Sequence, residues 1–322
     1  MRGPELSRRA LLTLAAAGAS AVAFAPAARA EEVLLVEVGG APEAVAVNSV
    51  TGFAYISDPA TGTIVVLDSR SGTVGEVIPV GGEPAGLAVD TVTNRVYVTN
   101  PPAGTVLVLD GLTNDVVSVV PAGPGASDVD VDEQANRVYA VSDLTGTLAV
   151  IDGVGCRLLN LVPGPTRGLS SVAVDSGRKL AYCTSPDTDS LEVYDIGARK
   201  FADGIPVGQS PTGVAVHRAS GTVFVANSAI HHLSVVDGGA RKEKATVLLR
   251  SESSAVAVHE GSNTAYTNGG PNGVARIDGV TSLLTGDLSL GVNPGAVAID
   301  QRTRTVYVTD PLRGRVSLIR DF

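Results

Sequence analysis

Seven aromatic residues recur along this chain at intervals of 41 to 43 residues: Tyr55, Tyr97, Tyr139, Tyr182, Phe224, Tyr266 and Tyr307. An acidic column keeps step with them at Asp68, Asp110, Asp152, Asp195, Asp237 and Asp278. A unit this short cannot bury its own apolar faces and must stack on its neighbours. Each unit reads as four short strands. In the second, Gly81-Gly82-Glu83-Pro84 is a turn and Gly86-Leu87-Ala88-Val89 an inner strand. Asn94-Arg95 turns the chain into Val96-Tyr97-Val98-Thr99, and after Pro101 to Gly104 a third strand runs from Thr105 to Leu109. Asp110-Gly111 is a tight hairpin signal, and Val116 to Val120 closes the unit. β-Branched residues fill these runs and Gly, Pro, Asn and Asp punctuate them, while no helical stretch interrupts residues 31–322. The pattern predicts an all-β, seven-bladed β-propeller with four antiparallel strands per blade.

The register also predicts how the ring closes. The last unit has an inner strand (Gly295 to Ile299), a second (Thr305 to Thr309) and a third (Arg315 to Ile319), but no outer strand. The segment Val33 to Val38 precedes Gly39-Gly40 as Val77 to Val80 precedes Gly81-Gly82, so it is expected to complete blade seven and leave no open edge. Tyr97-Val98-Thr99-Asn100, with Tyr307-Val308-Thr309-Asp310 as a near copy, resembles the YVTN-type β-propeller repeat family. That resemblance covers residues 31–322. It implies the fold and carries over no catalytic residue.

Residues 1–30 read as an export leader. Arg8-Arg9 precedes an apolar run from Ala10 to Phe24, and Ala28-Arg29-Ala30 supplies a small-x-small cleavage site. The arrangement resembles a twin-arginine translocation signal; a Sec-type signal with an incidental arginine pair is the alternative. Either one places the domain 31–322 outside the cytoplasm, secreted or associated with the cell wall. Formal net charge is −9 for the whole chain, and the leader carries four Arg against one Glu, so the remainder stands at −12. Such a balance disfavours nucleic acid and anionic lipid as partners, because both need clustered Lys and Arg. With the leader gone no integral membrane segment is expected, and the domain is read as a monomer. The two cysteines, Cys156 on an outer strand and Cys183 on an inner strand of the next blade, are expected as free, buried thiols.

In a propeller the inter-blade connections and the loops between second and third strands lie on one face, here called the top. The turns after first and third strands lie on the bottom. His217 and His259 therefore belong to the bottom and His231-His232 to the top, which excludes a four-histidine metal site. The inner strands hold a sharper signal. Six blades carry Ala at the middle small position, as in Ala44-Val45-Ala46-Val47, whereas blade three reads Asp128-Val129-Asp130-Val131-Asp132. Alternation puts the three aspartates on one side of the strand, beside the central channel. Two readings are open. In one, Asp128, Asp130 and Asp132 hold a divalent cation, Ca²⁺ or Mg²⁺. In the other, Asp130 is solvated, with Arg167 as its partner. Glu43, Glu83, Asn100, Asp128, Asp143, Arg167, His231 and Asp310 mark a polar, acidic top face and are the candidate ligand-binding residues.

No nucleophile elbow, zinc-binding helix, phosphate loop or dinucleotide fingerprint is present, and Trp is absent. Two functions from different classes remain open. One is an exported binding or interaction module with a protein or small-molecule ligand at the channel mouth. The other is a metal-dependent enzyme of the propeller lactonase or antibiotic-ring lyase type, using Asp128 and Asp130 for the metal and Glu43, Glu83 or His231 as acid or base.

Overall fold

The computed structural model describes residues 32–270, 272–320 and 322, so residues 1–30, expected to be an export leader, lie outside the described residues. The β-branched runs become seven antiparallel sheets arranged as blades around an axis. In blade one the strands are Val45–Asn48, Phe53–Asp58, Thr63–Asp68 and Thr73–Pro79, and their order in the sheet is their order in sequence. Blade seven closes as the register requires. The strand Glu32–Glu37 pairs antiparallel with Arg315–Arg320, Glu32 opposite Arg320 and Glu37 opposite Arg315. This pairing joins the two ends of the described chain and satisfies an edge that would otherwise template aggregation.

Blade four departs from the common form. Its outer strand is split into Lys200–Phe201 and Ile205–Pro206, both paired with Ser190–Asp195. Gly204 lies in the break because Glu192 is buried beneath it: a Cβ there would sit 2.7 Å from a Glu192 carboxylate oxygen.

No single core exists. The apolar side chains form seven clusters, one at each contact between neighbouring blades. Tyr139 and Val141 of blade three, for instance, pack with Val172, Val174 and Cys183 of blade four. The aromatic column fills these seams: Tyr55, Tyr97, Tyr182, Phe224 and Tyr307 are fully buried. Each such ring or Val stabilises the ring of blades by about 2 kcal/mol through removal from water. The acidic column does other work. Asp68 Oδ1 accepts the N–H groups of Arg70 (2.8 Å) and Ser71 (3.1 Å), and Asp110 and Asp278 repeat the motif. These aspartates close hairpins, and the backbone donors hold Asp68, Asp152 and Asp278 below the usual carboxylate range.

Cys156 sits in the turn before the outer strand Arg157–Pro163 with φ of +47°, and it is half-buried, not buried. Cys183 lies on the second strand of blade four, Leu180–Ser185, where burial raises its thiol pKa. Both are free. The positions expected for them, an outer and an inner strand, are thus corrected: Cys156 directly precedes its outer strand, and Cys183 follows Tyr182 of the second-strand aromatic column.

Candidate functional site: the central channel

Inner strands of all seven blades surround a central cavity of about 630 Å³. Its wall is mostly small and aliphatic, from Ala, Gly, Ser and Val of the repeated inner-strand motif. The ionisable groups lining it are Glu43, Asp128, Asp130, Arg218 and Glu260. The single cation, Arg218, comes from the turn that follows the inner strand of blade five, on the bottom. The carboxylates toward the top therefore face no lining cation.

An inner strand pairs with its blade on one side only, so alternate N–H groups along its free edge point at the channel. Blade three uses its two exceptional aspartates to satisfy these groups on blade four. Asp128 Oδ2 accepts the Ser171 hydroxyl (2.6 Å) and the Val172 N–H (3.0 Å). Two residues on, Asp130 Oδ2 accepts the Val174 N–H (2.7 Å), and its Oδ1 accepts the N–H of Val131 (2.8 Å). The Asp-x-Asp pair thus acts as a side-chain strand, stitching blade three to blade four along the channel wall. Where other blades have Ala or Gly at these places, no side chain reaches the neighbouring edge.

This pairing explains the electrostatics. Burial pushes the Asp128 carboxyl up to about 6, opposed by the Ser171 and Val172 donors. Asp130 is also raised by burial, with Arg218 opposing. Glu43, whose residue surface is exposed but whose carboxyl is partly desolvated at the top mouth, is raised by that desolvation and then by the charge of Glu83.

The expected three-aspartate cation site does not assemble. Asp132 is buried away from the channel, and its Oδ1 accepts the N–H groups of Gln134 (3.1 Å) and Ala135 (3.0 Å) to cap the turn. Asn48, Asp90 and Asp300 play the same part in their blades. Among the described residues no group of three or more His, Cys, Asp and Glu side chains converges as a metal would require. The partner expected for Asp130 also changes. Arg167 is exposed and makes no ion pair among the described residues, whereas Arg218 Nη2 lies 3.8 Å from Asp130 Oδ2. Arg218 is fixed there by its Nε donating to the Val174 carbonyl (3.0 Å) and by Glu260, 3.4 Å from Nη1. It was missed because it stands two blades away from Asp130 in sequence.

The other candidates divide into exposed and structural residues. Glu43, Glu83 and Asp143 are exposed on the top, and His231 is an exposed loop residue 3.8 Å from Glu252. Asn100 is buried: its Oδ1 accepts the Glu83 N–H (3.4 Å) and its Nδ2 donates to the Gly81 carbonyl (3.2 Å), tying two top loops together. Asp310 is fully buried and paired with Arg313 at 3.0 Å. His217 and His259 have both ring nitrogens engaged, to Ser220 and the Glu260 carbonyl and to Ser262 and the Gln301 carbonyl. They are polar turn residues.

No family model matches this chain, and none of the curated proteins matches it. Solved structures do. The chain is similar to Kuenenia stuttgartiensis hydrazine synthase, with a TM-score of 0.76 and 14% identity over 87% of this chain and 95% of that one. It is similar also to U3-55K, with a TM-score of 0.79 and 11% identity over 90% of this chain and 98% of that one. The WD40 repeats of RRP9 give the same score and identity, over 90% and 99%. At these identities the likeness is one of fold, and the fold is a seven-bladed β-propeller.

Proposed function

We infer that this chain is an exported binding module of the YVTN-repeat type whose top face and channel mouth receive a positively charged group, a Lys or Arg side chain of a protein partner. One observation carries this reading: the channel is lined by four carboxylates and one arginine, and the arginine lies at the bottom. A low-dielectric wall focuses the field of the upper carboxylates, and a cation arriving there relieves the repulsion between Glu43 and Glu83. The twin-arginine leader supports an extracytoplasmic setting. A metal-dependent ring-opening activity fits less well, because Asp128 and Asp130 already accept backbone donors of blade four.

The test is fluorescence anisotropy with a short labelled peptide carrying central lysines, against the same peptide with those lysines acetylated. The lysine form is expected to bind, to weaken at high salt, and to lose about tenfold in affinity, roughly 1.4 kcal/mol, on the double change Glu43→Gln with Glu83→Gln. Equal binding of both peptides, or indifference to the double variant, would refute the reading.

A further inference from the structure

A second cavity opens on the bottom face at the seam between blades seven and one, and it owes nothing to the channel. It encloses about 310 Å³ and is lined by Gly52, Ser69, Arg70, Asp300, Arg302, Thr303, Thr305 and Arg320. Three arginines around one pocket stand out in a chain of net charge −9.

The repeat shows how this pocket arises. In blade two Arg95 stands opposite Asp110 at the bottom end of the second and third strands. The Arg95 guanidinium crosses the seam to the carbonyls of Gly153 and Val154 in the next blade and fills the space there. In blade seven the corresponding residues are Thr305 and Arg320: the acidic column stops at its sixth member, and an arginine takes its seventh place. No tight hairpin follows Arg320, since the outer strand of blade seven comes from the other end of the chain, so a turn-capping aspartate is not needed. Arg320 reaches across from the third strand, its Nη2 donating to the carbonyls of Ser69 and Arg70 at 3.3 Å each. It thereby replaces the clamp of Arg95 while the volume above Thr305 stays open. Arg70 lies over Gly52, whose missing side chain leaves room 3.9 Å from Arg70 Nε. Among the described residues Arg70 and Arg302 make no ion pair, whereas Arg320 Nη1 lies 3.5 Å from Glu32 Oε1.

Two residues lining the pocket carry a buried polar atom without a hydrogen-bond partner among the described residues: Ser69 Oγ, which lies beside the Tyr307 hydroxyl, and Asp300 Oδ2, whose counterpart Asp90 Oδ2 in blade two is likewise unpartnered. Ser69 is 7% exposed and Asp300 fully buried. The other oxygen of Asp300 caps the turn through the N–H groups of Arg302 (2.8 Å) and Thr303 (3.1 Å). Buried polar groups of this kind ordinarily have partners. A hydroxyl can donate to an oxyanion; a carboxylate oxygen can only accept, and it repels a bare anion.

We propose that this seam pocket is a second binding site, for a phosphate or sulfate monoester of a small hydroxylated molecule. The ester oxygens meet Arg70, Arg302, Arg320 and the Ser69 hydroxyl, matching the planar donor geometry of guanidinium groups. A ligand hydroxyl donates to Asp300 Oδ2, which distinguishes the ester from the inorganic anion. Because the pocket lies on the bottom, its occupancy is separate from the channel site.

Isothermal titration of the full chain with glucose phosphate, glucose sulfate, inorganic phosphate and glucose tests the assignment. One or both esters are expected to bind saturably and more tightly than inorganic phosphate, with glucose silent, and the two esters tell phosphate from sulfate. Arg302→Ala and Arg70→Ala, both at exposed positions, should each weaken the ester about tenfold. Thr305→Arg, which rebuilds the plug of blade two, should abolish binding. Asp300→Asn keeps the turn cap, as Asn48 does in blade one, and should raise the affinity for inorganic phosphate. No saturable binding of either ester, or ester binding unchanged by the arginine variants, overturns the proposal. Inorganic phosphate binding as tightly as the ester means an adventitious ion only.

Discussion

Asp128 should make this propeller less stable as the solution becomes neutral, and a single-atom change should reverse that loss. Burial against blade four raises its carboxyl from 3.8 to about 6, so the folded protein holds this proton more tightly than the unfolded chain does. The associated stability is complete below about pH 4 and is lost as pH rises through about 6. A shift of this size corresponds to about 3 kcal/mol across the window. Asp128→Asn retains an oxygen to accept the Ser171 hydroxyl and the Val172 N–H but cannot ionise. It is expected to match the wild type near pH 4 and to exceed it by up to about 3 kcal/mol near pH 8. Urea unfolding of both proteins at several pH values measures the difference. Glu43, raised by burial as well, is present in both and cancels, while Asp130 is coupled to Asp128 by charge and adds only a minor contribution to the difference. A difference that stays flat between pH 4 and 8, or an asparagine variant less stable near pH 8, would show that the inter-blade stitch does not bury its charge.

Arg218→Ala removes the cation beside Asp130; it should destabilise by about 1 kcal/mol near pH 8 and by less near pH 4, where Asp130 gains a proton, as urea titration would show. Two glycines offer a graded test of backbone strain. Gly146, with φ of +62°, has the Thr166 carbonyl where a Cβ would go, so Gly146→Ala should cost about 3 kcal/mol. Gly81, with φ of +73° and nothing within 4 Å, should cost only about 1 kcal/mol on the same change, from the left-handed backbone alone.

The fold was written in the sequence because each repeat encodes itself locally. Strand number, hairpin turns, the place of the closing strand and the two faces all follow from alternation and from the spacing of the Tyr and Asp columns. The break in the inner-strand motif at Asp128 and Asp130 was visible too, and it does mark the channel wall. Its chemistry was not. Reading three aspartates on one strand suggested a shared cation, but strand periodicity says only which side a residue faces, and it cannot tell a channel lining from a turn cap. Asp132 follows the rule of its column, as Asn48 does, and only its two neighbours depart from theirs.

What the tertiary structure alone decided is who meets whom across the ring. Seven inner strands converge on one axis, so Arg218 comes within 3.8 Å of Asp130 from two blades away, a proximity for which no local pattern codes. The free edge of an inner strand presents N–H groups that a carboxylate on the next blade can accept, and this turned an expected metal site into an inter-blade bond. The seam pocket has a mixed origin. Thr305 and Arg320 break their columns in the sequence, but whether a missing arginine leaves a hole or is replaced from across the sheet depends on strand pairing at ring closure. Sequence determines the repeat through local propensity and periodicity, while the sites arise where that periodicity is interrupted and distant segments are brought face to face.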